Sequence, residues 1–274
     1  MASGTDPVSF FTTDGDLLVP TPFAVSLWSP KQLAGHGVCG LCARDLERHR
    51  PEGFIPARTT VDLFMPVLAE PLRLESEVVR KGRRIVVADT RIVQDGITRA
   101  RASAVFVTTG DDPPGELWSP TEPLPTPPPV ADAWQPPSFP TPGGDGTAWT
   151  HDFAALGNAD RKAIWQFLPP LVAGEPDSPY ARTAVVAENT SLITNTGTAG
   201  IGFINADLTM ALSRLPVGSG LGLRALDHLA VDGVSTGVAT LFDREGPVGT
   251  ATVVALANTR RQIDLTAARR SPRA

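Results

Sequence analysis

Cysteine is nearly absent: the 274 residues contain two, Cys39 and Cys42. Such a pair cannot hold a structural zinc without two further ligands, and His36 is the only close candidate. Their C-x-x-C spacing is also that of a redox dithiol. A dithiol of that kind follows a strand in a βαβ pattern, whereas here a proline- and aromatic-rich segment precedes it. The two cysteines are therefore expected as small, buried, reduced residues on one helical face. No metal and no cofactor are expected.

Charge is sparse as well. Only 19% of residues are charged and the net charge is −5, so there is no basic surface to bind nucleic acid. No apolar run reaches the 18 or more residues of a membrane-spanning helix. The start, Met-Ala-Ser-Gly-Thr-Asp, lacks the basic residues and apolar stretch of a signal peptide. A cytoplasmic protein is expected, and its 42% hydrophobic content is enough for a substantial core.

The chain does contain a repeat. Asp62-Leu63-Phe64-Met65 and Asp207-Leu208-Thr209-Met210 spell the same D-L-x-M word 145 positions apart. Ser29-Pro30 answers Ser178-Pro179 at an offset of 149, and Gln94-Asp95-Gly96 answers Arg244-Glu245-Gly246 at 150. Three landmarks in order at a near-constant offset indicate two diverged copies of one unit. Between them, residues 113–142 carry 12 of the 27 prolines. Proline at that density removes amide donors, so neither helix nor sheet is expected to run through, and Trp118 and Trp134 are expected to pin the segment down. The expected division is 1–112, a linker 113–147, 148–262, and a flexible tail 263–274.

Each copy reads as a helix followed by strands. Ser29-Pro30 and Ser178-Pro179 are expected N-caps with proline at the first helical position, the helices running to about Arg48 and Ile193. Period-two alternation then predicts strands at Thr59–Val67, Leu72–Arg80, Ile85–Gln94 and Thr98–Thr108. In the second copy the corresponding strands are Gly202–Leu212, Gly220–Asp227, Val234–Asp243 and Val248–Ala257. An antiparallel sheet with a single helix per unit buries that helix by curling around it, an α+β arrangement.

This order resembles a tandem hot-dog fold. The words Gly35-His36-Gly37, Val61-Asp62-Leu63, Phe203-Ile204-Asn205-Ala206-Asp207-Leu208 and Arg214-Leu215-Pro216 resemble the double-hot-dog acyl-CoA thioesterases, the acyl-CoA thioesterase II family and its actinobacterial thioesterase-like relatives. The resemblance implies an acyl-CoA partner, leaves room for a homodimer, and implies three residues that orient and activate water: an Asp, a Thr or Ser, and a Gln. The Asp is present as Asp207. The Thr position falls at Asp227 and the Gln position at Val253.

Thioester hydrolysis needs a base or nucleophile at the carbonyl and donors for the oxyanion. Asp207 fits the first requirement, with Asp227 as a second catalytic candidate. The helix start at His36, Gly37 and Val38 fits the second, because its amides and dipole favour negative charge. Glu188, in a polar stretch of the second helix, is expected to line the substrate cavity with Val253. Three functions are compatible with this pattern. Hydrolysis of acyl-CoA leads, non-catalytic binding of acyl-CoA or lipid is the alternative, and a hydratase ranks last because His36 has no acidic neighbour before Asp45.

Overall fold

The computed structural model describes residues 8–26, 28–120, 122–131, 133–144, 147–176, 178–260 and 262–263. The expected tail, apart from Ile263, and the start read for targeting lie outside the described residues. The first copy opens with a hairpin, β1 (Phe11–Asp14) and β2 (Leu17–Pro20), followed by helix α1 (Gly35–Glu47). Strands β3 (Phe54–Leu63), β4 (Leu74–Lys81), β5 (Ile85–Gln94) and β6 (Ile97–Thr108) complete it. Next come β7 (Gln135–Pro140), β8 (Trp149–Thr150) and β9 (Ala163–Phe167), then helices α2 (Pro179–Glu188) and α3 (Thr190–Asn195). A small pair, β10 (Thr196–Gly197) and β11 (Gly200–Ile201), leads to β12 (Phe203–Asn205) and β13 (Asp207–Leu212). The chain closes with β14 (Gly220–Val231), β15 (Val234–Asp243) and β16 (Gly246–Ala257).

Twelve strands form one sheet in the order β4-β5-β6-β3-β13-β16-β15-β14-β9-β7-β8, with β12 beside β16. The halves join where β3 meets β13 antiparallel, in the register Asp62–Asp207, Val61–Leu208, Thr60–Thr209 and Thr59–Met210. Alternation decides what each strand buries. Val61, Ala100, Ala102, Ala104 and Phe106 turn inward with Val38, Leu41, Cys42 and Leu46 of α1. Leu208, Met210, Ala251 and Val253 do the same with Val185, Val186 and Ile193. This is the expected α+β tandem hot-dog, each copy supplying a helix and its antiparallel strands.

The two long helices run antiparallel and in close contact. A Cβ at Gly40 would lie 2.5 Å from Val185 Cγ2, so glycine is what permits this approach. Their starts differ from one another. Ser178 caps α2 as expected, its hydroxyl accepting from the Ala181 amide at 3.1 Å. Ser29-Pro30 does not cap α1, because the chain before Gly35 is held outside helical geometry. Ser26 N–H bonds Gln32 C=O, Leu33 N–H bonds Val67 C=O and Ala34 N–H bonds Ala24 C=O. The N-cap of α1 is thus Ala34, which offers no side-chain acceptor.

The proline-rich segment also departs from expectation, since β7 within it pairs with β9 and β8. The pairing slips between Gln135 and Ser138, where Pro136 and Pro137 sit, so their missing amides are not required. Trp134 does hold the segment, edge-on to Phe23 with centroids 5.3 Å apart. Trp118 is 87% exposed and pins nothing. Polar contacts replace it: Trp149 Nε1 donates to Thr126 C=O at 2.9 Å, and Arg161 bonds Glu122 at 2.8 Å.

Candidate active site

The antiparallel helix pair brings the last residue of α2 to the first residue of α1. Glu188 lies so close to Gly35 that a Cβ there would stand 2.2 Å from Glu188 Oε1. The Asn205 side-chain amide donates to that same oxygen at 3.1 Å. After Asn205 the strand is interrupted at Ala206, whose N–H bonds Val254 C=O and whose C=O accepts from Leu63 N–H. Asp207 follows, half-buried, with Oδ1 accepting the Val254 amide at 2.7 Å.

Electrostatics separate these carboxyls. Burial raises the Glu188 carboxyl from 4.5 to about 7, and the Asn205 donor holds it back only in part. Burial also raises Asp207, the Val254 amide opposes this, and the facing Asp62 adds to the rise. Cys39, one helical turn into α1, is buried with its thiol raised well above normal, first by burial and then by Glu188, Cys42 and Asp207. Glu188 and Asp207 are linked through Asn205, which bonds Glu188 and stands two residues before Asp207. Cys39 and Cys42 are free thiols, as expected from their neighbours.

The helix start differs in detail from expectation. The Gly37 and Val38 amides both donate to Ala34 C=O, at 3.1 and 3.3 Å, and so are not available to an oxyanion. A helix leaves its first amides without intrahelical partners. At α1 the Gly35 amide fills that role, having no acceptor among the described residues. The His36 ring stands edge-on to Phe10, with centroids 5.4 Å apart.

Asp227 is not brought to this place. It lies exposed on β14, with β15 and β16 between it and β13, and accepts the His228 amide at 2.8 Å. Val253 is fully buried on the inner face of β16. The residue that sequence reasoning gave no role is Asn205, although it stands two places before Asp207 in the quoted Phe-Ile-Asn-Ala-Asp-Leu word.

The repeat supplies a comparison within the molecule. Glu47 ends α1 as Glu188 ends α2, and it meets the start of α2, accepting from Ser178 Oγ and from Arg50 at 3.2 Å. Asp62, the mate of Asp207, accepts from Arg101 Nη2 at 2.7 Å. Arginine thus pairs both carboxylates at that second place. Among the described residues, neither Glu188 nor Asp207 has a cationic partner.

A long antiparallel sheet folded over paired helices defines a hot-dog protein, and solved structures agree. Residues 26–107 match the family model described as the acyl-CoA thioesterase N-terminal domain. An acyl-CoA thioesterase II, TesB2, from Mycobacterium marinum superposes with a TM-score of 0.61 at 18% identity, over 82% of this chain and 88% of that one. A putative thioesterase II from Thermobifida fusca gives 0.60 at 16% identity, over 93% and 96%. A hot-dog protein of unknown function from Alicyclobacillus acidocaldarius gives 0.61 at 16% identity, over 94% and 99%. No curated protein matches the sequence. At these identities the structural likeness establishes the fold, and the matched domain carries the thioesterase resemblance for residues 26–107.

Proposed function

We propose that this protein hydrolyses acyl-CoA thioesters at the place where α1 begins, with Asp207 as the group that acts on water. The observation that carries this reading is the approach of Glu188 to Gly35, whose amide is open, with Asp207 two residues beyond Asn205, the donor to Glu188, so that both copies of the repeat contribute. Asp207 takes the proton of a water attacking the thioester carbonyl, or attacks directly. The Gly35 amide and the dipole of α1 receive the charge that builds on the carbonyl oxygen. Direct bonding to the Val254 amide fixes the Asp207 carboxylate in one orientation, as a base on water requires.

The test is release of free thiol from acyl-CoAs of graded chain length. Turnover that disappears in Asp207→Asn is the expected result, and absence of turnover on every chain length overturns the reading. Non-catalytic binding of acyl-CoA is the second reading. It is favoured by Val253, fully buried and apolar where the resemblance implies Gln, and by Asp227, remote from Asp207. Tight acyl-CoA binding without thiol release would establish it.

A further inference from the structure

We propose that Glu188 is a second catalytic carboxyl, the acid that protonates the coenzyme A sulfur as it leaves, and that Asn205 is its positioning residue. This role presupposes the hydrolase reading above and supplies the half of the reaction that Asp207 leaves undone. Three structural facts converge on Glu188. It stands at the first residue of α1, which must be glycine to leave it room. Asn205 engages only Oε1, and among the described residues no hydrogen bond takes Oε2. Its mate in the repeat, Glu47, is paired with Arg50 and bonded by Ser178, whereas among the described residues Glu188 has no cation beside it.

Paired titratable groups whose surroundings drive them apart define an acid and a base. Asp207 is raised by burial and by Asp62, but it is only half-buried and the Val254 amide it accepts favours its anion. Glu188 is desolvated, which favours its acid form, and the single neutral donor, Asn205, opposes this only in part. The neighbouring Cys39 thiol on α1 is itself kept protonated, first by burial and then by Glu188. His36 lies in the same first turn, its ring turned against Phe10. A carboxyl titrating at about 7 is well matched to a thiol leaving group of pKa about 8.5.

The step balances as follows. Water oxygen bonds to the carbonyl carbon and its proton passes to Asp207. The tetrahedral adduct then collapses, the carbon–sulfur bond breaks, and the Glu188 proton goes to sulfur. Free acid and thiol leave, Asp207 releases its proton to solvent, and Glu188 takes one up.

The experiment compares Glu188→Gln with the parent on two thioesters of one acyl group: the coenzyme A ester and a nitrothiophenyl ester, whose thiolate departs without a proton. The expected kcat loss is on the order of 10²-fold for the coenzyme A ester and less than about ten-fold for the aryl ester. The parent's decline in kcat above neutral pH on the coenzyme A ester should also vanish. Equal losses on the two esters, or no loss on either, overturn the role of Glu188 while leaving the hydrolase reading intact. A parent that cleaves neither ester overturns both.

Discussion

Asp62 and Asp207 stand directly opposite one another on β3 and β13, at the strand pair that joins the two halves of the sheet. Like charges at facing positions destabilise a sheet, and here each is relieved differently. Arg101 takes Asp62 through Nη2 and Nε, at 2.7 and 3.2 Å, while Asp207 has the Val254 amide. One repeated word therefore yields two carboxylates of different chemical character, of which only Asp62 is paired with arginine.

That difference is testable within one molecule. Asp207→Asn should lower kcat by on the order of 10²-fold, the usual worth of general-base assistance. Asp62→Asn should leave kcat nearly unchanged, because an exposed ion pair contributes about 0–1 kcal/mol. It should also shift the acid limb of the kcat/KM profile to lower pH. Asp62 raises Asp207, so removing its charge lets Asp207 ionise earlier. Equal kcat losses in the two variants would show both carboxylates to be structural.

Gly35→Ala should damage the site and spare the fold. The added methyl meets only the tip of Glu188, a flexible side chain, and pushes it off Asn205. Thermal stability should change by no more than about 1 kcal/mol, as alanine is a good helix former. Turnover should fall by about ten- to a hundred-fold, the scale of a misplaced catalytic group. Unfolding without a prior loss of activity would contradict this arrangement.

Much of this architecture was legible because period-two alternation and the repeated words are local signals. Val234–Asp243 is a strand from end to end as expected, and Ser178-Pro179 opens its helix. Asp207 was legible from its word. The Glu188–Gly35 contact was not, because it depends on how two helices from different copies cross, which no window of neighbouring residues records. The Gly35 amide was not singled out because Ser29-Pro30 looks like a cap, and only long-range pairing of the segment before Gly35 shows where the helix starts. β7 was missed because prolines disfavour strands except where a bulge removes the need for their amides.

Val253→Gln places an amide where the resemblance implies one, and stability is what it should change first. Val253 is fully buried against the core of the second copy. An amide that finds no partner there costs about 1–3 kcal/mol, readable as a lower urea midpoint at unchanged slope. A midpoint equal to the parent's would mean that Gln reaches a polar neighbour, and would point to Thr194, which packs on Gly237, the residue paired with Val253.

Glu188 should also make the fold less stable as pH rises through neutrality. Its carboxyl goes from the ordinary 4.5 when unfolded to about 7 when folded, so the folded protein holds this proton more tightly. A raised folded value gives stability that is fully present below 4.5 and is lost as pH rises through about 7. The side chain keeps a partly exposed surface, which makes the difference at most on the order of 3 kcal/mol. Asp207, raised as well, acts in the same direction at lower pH. Urea unfolding at pH 5 and pH 8 should therefore show the parent losing more stability than Glu188→Gln, which has no proton to lose. Parallel changes in the two proteins would mean that Glu188 is solvated and ionised throughout, with no acid available for a leaving sulfur.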